Sequence, residues 1–240
     1  MALTFFSVMI GSLILIKAIE WLCDYFSARA QFREEDTRYN TNYEFSLNEK
    51  DKQMMDIEAD VLKELFPDGI AETLKTLNEE ERIKLFEELT QKLALAYGLG
   101  SDAVEKIEFI EDLKSGNSPL CGAYNYGTRT IMLNQTYICF DLHNNRTLDQ
   151  KIIDDVLVDC VDTVIHELRH AYQWQACSLF ANDEDYSVHD KDNRVVDWAT
   201  NFVNYVQCNE NLEAYNKQPV ECDARNFASA VIGEYMRRIA

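Results

Sequence analysis

Two of the four histidines in this chain stand four residues apart, in the run His166-Glu167-Leu168-Arg169-His170. On a helix that spacing places both imidazoles on one face, a single turn apart. Two imidazoles held in this way can bind the same zinc ion. Glu167, beside them, can take a proton from the water such a metal activates. The flanking residues supply the helix. Ile153, Val156, Leu157, Cys160, Val161, Val164, Ile165 and Leu168 form a wide apolar surface, so a helix over 149–176 is expected to run through the core.

A catalytic zinc site needs a third protein ligand and keeps one position for water. His143 and His189 are candidates, but both lie in polar, loop-like stretches. Glu221 is the stronger one. The segment Gln218-Pro219-Val220-Glu221-Cys222-Asp223-Ala224 reads as the opening of a second helix with proline in its first turn. That helix continues through Phe227, Ala228, Val231 and Ile232, and a carboxylate on its first turn can face the two histidines. Asp223 is the rival ligand, on another side of the helix, where a negative charge near the N-terminus is favourable in any case.

Other residues can act through hydrogen bonds. Asp162 and Thr163 lie one turn before His166, and Gln173 and Trp174 one turn after His170, placed to orient a ligand. Arg225, four residues beyond Glu221, can hold its carboxylate. Tyr205 or Tyr215 can donate to the oxyanion of a tetrahedral intermediate. Ordinary packing is the competing explanation for each of them.

The run His166–His170 followed by Glu221-x-x-Ala224-x-x-Phe227-Ala228 resembles the HExxH zinc metallopeptidases, the zincins, on their gluzincin side. It is especially similar to the ImmA/IrrE-type proteins, over about Thr128 to Ile232. The resemblance implies His166, His170 and Glu221 as ligands of Zn2+, Glu167 as general base, and a peptide or protein as substrate. Two features depart from it. The interval between His170 and Glu221 is longer than in compact gluzincins, and Arg225 stands where a small polar residue is expected. The alternative function is an inactive or structural zinc-binding protein that serves as a partner-binding module. Intact Glu167 argues against that, because a structural site needs no base.

The elements that must position these residues follow from periodicity. Met54, Ile57, Val61, Leu62 and Leu65 recur at helical spacing up to the stop Phe66-Pro67-Asp68-Gly69. Asn78 with Glu81 reads as a capping box opening a helix to Tyr97, with Gly98 closing it. Lys106–Glu111 alternates like a half-buried strand. Gly122–Tyr126 and Thr128–Leu133 suggest two more strands turning at Gly127. The strand Thr130–Leu133 is a candidate edge strand beside the site, able to pair with extended peptide backbone. The expected fold is α+β: a predominantly helical zincin-like domain with a small antiparallel sheet, its motif helix packed against the C-terminal helix that carries Glu221. The expected organisation is a helical part over 49–99, a sheet over 105–134, the motif helix, and C-terminal helices over 193–240.

Residues 1–28 are different. Leu3 to Ile16 is nearly continuously apolar, and the hydrophobic helix over residues 1–23 either spans a membrane or packs in a groove. If it spans, Lys17, Arg29 and Arg33 on its C-terminal side place the remainder in the cytoplasm. A polar linker follows over 29–48. The net charge of −19, without a Lys/Arg stripe, repels phosphate backbones and excludes a nucleic-acid binder. Seven cysteines without a Cys-x-x-Cys pair favour a reducing compartment. The acidic stretch 182–192 reads as a solvated loop, with a lid, a partner surface or a weak cation site as alternatives.

Overall fold

The computed structural model describes residues 43–100, 103–115, 118–139, 150–182, 193–207 and 210–240. The apolar segment 1–28, His143, His189 and the acidic stretch 183–192 lie outside these. Tyr43 to Asn48 has no regular secondary structure, yet Phe45 and Leu47 pack against the core. The end of the expected linker is therefore seated on the domain.

Asn48 opens α1 (Glu49–Leu65). Its side chain accepts the Asp51 amide at 2.8 Å, while the Asp51 carboxylate accepts the Asn48 amide at 2.9 Å. This reciprocal capping satisfies two N–H groups that a helix start leaves orphaned. A short helix, α2 (Ile70–Thr76), follows Gly69, whose φ of 109° is open only to glycine at low cost. Seven residues are too few for a clear helical period, so α2 was not expected; burial of Ile70 and Leu74 holds it. Asn78 and Glu81 form a second capping box at the start of α3 (Glu79–Ala96). Gly98, at φ 66°, ends that helix, and the Leu99 amide reaches back to the Ala94 carbonyl at 2.9 Å.

The strands are β1 (Lys106–Ile110), β2 (Lys114–Ser115), β3 (Ser118–Pro119), β4 (Gly122–Asn125) and β5 (Thr130–Asn134). The stretch between Leu113 and Leu120 carries the small antiparallel β2–β3 ribbon. The main sheet has the order β1-β5-β4. Strands β4 and β5 form the expected antiparallel hairpin, but β1 runs parallel to β5, with Lys106 opposite Thr130. The sheet is therefore mixed and not antiparallel throughout. Its most buried strand takes the centre: Ile131 and Leu133 are wholly enclosed. Alternation identifies a strand but carries no information about its neighbours. A consequence is that Thr130–Leu133 is paired on both sides, and the edge strand nearest the motif helix is β4.

One turn, α4 (Gln135–Ile138), leaves the sheet. The motif helix α5 (Gln150–Asn182) runs six residues beyond its expected end at 176. It is followed by α6 (Asn193–Val203), α7 (Leu212–Lys217) and α8 (Pro219–Ile239), the last with proline at its opening as expected. Helix α8 packs against both α5 and α1, and its Phe227, Ala228 and Val231 are completely buried. The fold is thus predominantly helical with a three-stranded sheet. No helix among the described residues is long and apolar enough to cross a membrane.

Candidate metal centre

The site lies where the middle of α5 meets the first turn of α8. His166 and His170 project from one face of α5, their Nε2 atoms 3.0 Å apart. Glu221 of α8 lies against both: its Oε2 is 3.3 Å from His166 Nε2, and its Oε1 is 3.3 Å from His170 Nε2. One donor atom from each residue falls within 4.8 Å of the other two. A tetrahedron with metal–ligand bonds of ~2.0 Å has edges of about 3.3 Å. Glu221 is 1% exposed, and its Oε2 is buried without a hydrogen-bond partner. A carboxylate oxygen left in this state is costly unless a cation completes it. The donor set therefore fits one zinc ion.

Charge and hydrogen bonding prepare these ligands. Burial works against the carboxylate of Glu221, but His170 and His166 outweigh it and hold the group well below the usual range. Burial likewise opposes the imidazolium of His170, and the Glu221 carboxylate outweighs it, pushing the ring up to about 9. Tyr205 donates its hydroxyl to Glu221 Oε1 at 2.6 Å, and its ring meets that of Tyr215 edge-on at 6.2 Å. Burial and the Glu221 charge push both phenols up, so they remain protonated donors.

Gln173 sets the His170 ring. Its Nε2 donates to the Val220 carbonyl at 3.0 Å and to Asp223 Oδ2 at 2.9 Å. Both acceptors lie on the nitrogen side of the amide, which turns Oε1 toward His170 Nδ1 at 2.9 Å. Only an Nδ1–H satisfies that oxygen, so once the ring is neutral its lone pair is left on Nε2, facing the site.

Glu167 is buried and points toward β4. Gly122 makes this approach possible: a Cβ there would lie 2.7 Å from Thr163 Cγ2 and 3.1 Å from Glu167 Cγ. Burial raises the Glu167 carboxyl above its ordinary range. His166 and His170 pull it down, Glu221 pushes it up, and a hydrogen bond with the Tyr124 backbone lowers it.

The remaining candidates have other surroundings. Asp162 is partly buried one turn before His166; burial lifts its carboxyl to about 6 against the pull of His166. The Thr163 hydroxyl donates to the Asp159 carbonyl at 2.8 Å, and Trp174 stacks on Tyr126 at 4.6 Å. Arg225 is anchored by Asn216, to its carbonyl at 3.2 Å and its Oδ1 at 3.1 Å, with Nη2 4.0 Å from Glu221 Oε2. At that distance it biases the carboxylate electrostatically without a hydrogen bond. Asp223 is turned away from the histidines and pairs with Arg169, whose Nε donates to Oδ2 at 2.7 Å. Both are completely buried.

Arg169, Gly122 and Asp51 were not singled out from the sequence. An arginine between Leu168 and His170 on a core helix was the available signal, because a buried guanidinium demands carboxylates. No family model, curated protein or solved structure matches the chain. The cluster His166-Glu167…His170…Glu221 itself matches the gluzincin arrangement of zinc peptidases, HExxH on one helix with a glutamate from a second.

Proposed function

We propose that this protein is a zinc-dependent peptidase in which His166, His170 and Glu221 hold the metal and Glu167 is the general base. The observation that carries the reading is Glu167, buried against a three-ligand cluster. A structural zinc site uses four protein ligands. Among the described residues the cluster offers three, which leaves one position for chemistry.

Bound zinc supplies Lewis acidity, lowering the pKa of water and polarising a carbonyl. The protein's own groups do the rest. Glu167, with its proton affinity raised by burial, accepts a proton from the attacking water and returns it to the leaving amine nitrogen. Tyr205 and Tyr215 form a donor pair at Glu221, and either can turn its hydroxyl to the carbonyl oxygen as negative charge develops there. Among the described residues β4 pairs only with β5, so its other edge can take extended peptide backbone past Glu167. A peptide or protein is the substrate class this supports.

Placement in a reducing, cytoplasmic compartment belongs to the same proposal. It rests on the free thiols Cys121, Cys139, Cys160, Cys177 and Cys222. Attachment to a membrane through residues 1–23 is a proposal on the sequence alone.

The test is hydrolysis of a fluorogenic peptide library by the zinc-loaded protein and by Glu167→Gln. The variant is expected to keep its zinc and lose on the order of 10² to 10⁴ in kcat. Equal rates for the two would remove Glu167 from the mechanism.

A further inference from the structure

Asp223, two residues beyond Glu221, gathers contacts from three directions. From α5, Arg169 donates to it through Nε at 2.7 Å and Nη2 at 3.3 Å, and Gln173 through Nε2 at 2.9 Å. From α6, Arg194 Nη1 lies 3.7 Å away. From the segment ahead of α1, Tyr43 donates its hydroxyl to Asp223 Oδ1 at 3.1 Å.

The first turn of α1, which continues that segment, makes further attachments. Asp51, wholly buried, forms an ion pair with Arg169, its Oδ1 2.9 Å from Nη2, and accepts from Arg194 Nη1 at 2.6 Å on Oδ2. Arg194 also donates to the Ser46 carbonyl at 3.3 Å. The result is one cluster in which Arg169, buried, and Arg194, at its rim, face Asp223 and Asp51. Asp223 comes from α8, beside Glu221, and Asp51 from the first turn of α1.

We propose that zinc affinity is coupled to the seating of the segment Tyr43–Asp51, through Asp223 and Gln173. This rests on reading His166, His170 and Glu221 as the zinc centre. Tyr43 and Asp51 are then positioning residues, more than one side chain removed from the metal.

The coupling follows from the Gln173 amide. Its orientation depends on two acceptors, the Val220 carbonyl and Asp223 Oδ2. Withdrawing Tyr43 and Asp51 removes a donor from Asp223 and leaves the buried Arg169 and the partly buried Arg194 to pull on its carboxylate. As Asp223 turns toward them, Gln173 loses one of the two contacts that keep its oxygen on His170 Nδ1. A rotated amide presents N–H to that nitrogen. The ring proton then moves to Nε2, where it occupies the lone pair that zinc requires.

The experiment is competition of zinc alone against a chromophoric chelator, on the full chain, with the visible spectrum of the cobalt-substituted protein as a second readout. The variants are Tyr43→Phe, Asp51→Asn and Asp223→Asn. The control is Tyr235→Phe, which removes another enclosed hydroxyl from α8, one that donates to the Phe66 carbonyl at 2.8 Å far from the metal. Asp223→Asn is expected to weaken zinc by about 10- to 100-fold, the range for groups that orient a ligand. Tyr43→Phe, one contact further out, is expected to weaken it by about three- to tenfold, with an altered cobalt spectrum. Tyr235→Phe should leave both readouts at wild-type values while lowering the unfolding temperature. Wild-type zinc affinity in Tyr43→Phe overturns the coupling, as does equal weakening in the Tyr235→Phe control. If Asp51→Asn does not fold, the Tyr43→Phe result decides alone. Failure of the wild type itself to bind zinc or cobalt removes the metal reading and the coupling with it.

Discussion

Glu221 and His170 illustrate how two side chains hold each other in opposite charge states before any metal arrives. The carboxylate raises the imidazolium to about 9, against roughly 6.5 for a histidine in an unfolded chain. A proton is thus bound more tightly by the folded, metal-free protein than by the unfolded one. Its stabilising contribution is fully present below about pH 6.5 and is lost as pH rises through about 9. Zinc requires the neutral ring, so it must displace that proton, and its apparent affinity should rise about tenfold per pH unit below 9. The two trends diverge. At a fixed, buffered free zinc concentration, the gap between the unfolding temperatures of zinc-loaded and metal-free protein should widen from pH 6 to pH 9. Thermal melts in paired samples measure it; a gap independent of pH would mean that His170 is not displaced from its proton by the metal. The histidines and Glu167 are legible in the sequence because i and i+4 on a helix is a local relation, and Glu221 because Pro219 marks the opening of its helix. The tautomer of His170 was not. It depends on an amide fixed by Val220 and Asp223, on a helix distant in sequence.

At the scale of elements, the close approach of β4 to α5 decides what the base can reach. Gly122 permits it, since any Cβ there meets Thr163, Glu167 and the Met132 carbonyl. Gly122→Ala should push the strand off the helix and displace Glu167, lowering kcat/KM by about tenfold or more while zinc content stays at wild type. Peptidase rates alongside metal analysis test this, and a variant of undiminished activity would show that the strand need not lie so close. A contrasting change is Asn78→Ala, which removes the capping box of α3, a helix that carries none of the three candidate ligands. It should cost ~1 kcal/mol of stability in denaturant titrations and leave zinc affinity unchanged. The Asn78 box is legible from residue type and spacing, while the equivalent box at Asn48 emerges only in the structure. The parallel pairing of β1 with β5 was not legible. A strand pattern reports which face is buried and is silent on which strands lie beside it. The alternation of Thr130–Leu133 therefore allows an edge position, whereas its burial and pairing put it at the centre.

For the whole molecule, the zinc centre and the charged cluster around Arg169 and Asp223 are two fastenings between the same helices. His166, Arg169, His170 and Gln173 come from α5; Glu221 and Asp223 come from α8, and Asp51 from α1. The motif alone pointed to the first fastening. The second could not be read from the chain, because partners for a buried arginine lie on helices whose packing only the fold establishes. The measurement that bears most directly on the central claim is zinc content and affinity, in the wild type and in Glu221→Ala, by elemental analysis and chelator competition. About one zinc per wild-type chain is expected, with affinity weakened by more than about 100-fold in the variant, which loses a ligand and not only a group that orients one. A wild type that takes up no zinc when supplied with it, or a variant that binds as tightly as the wild type, would contradict the assignment of a His166, His170 and Glu221 site.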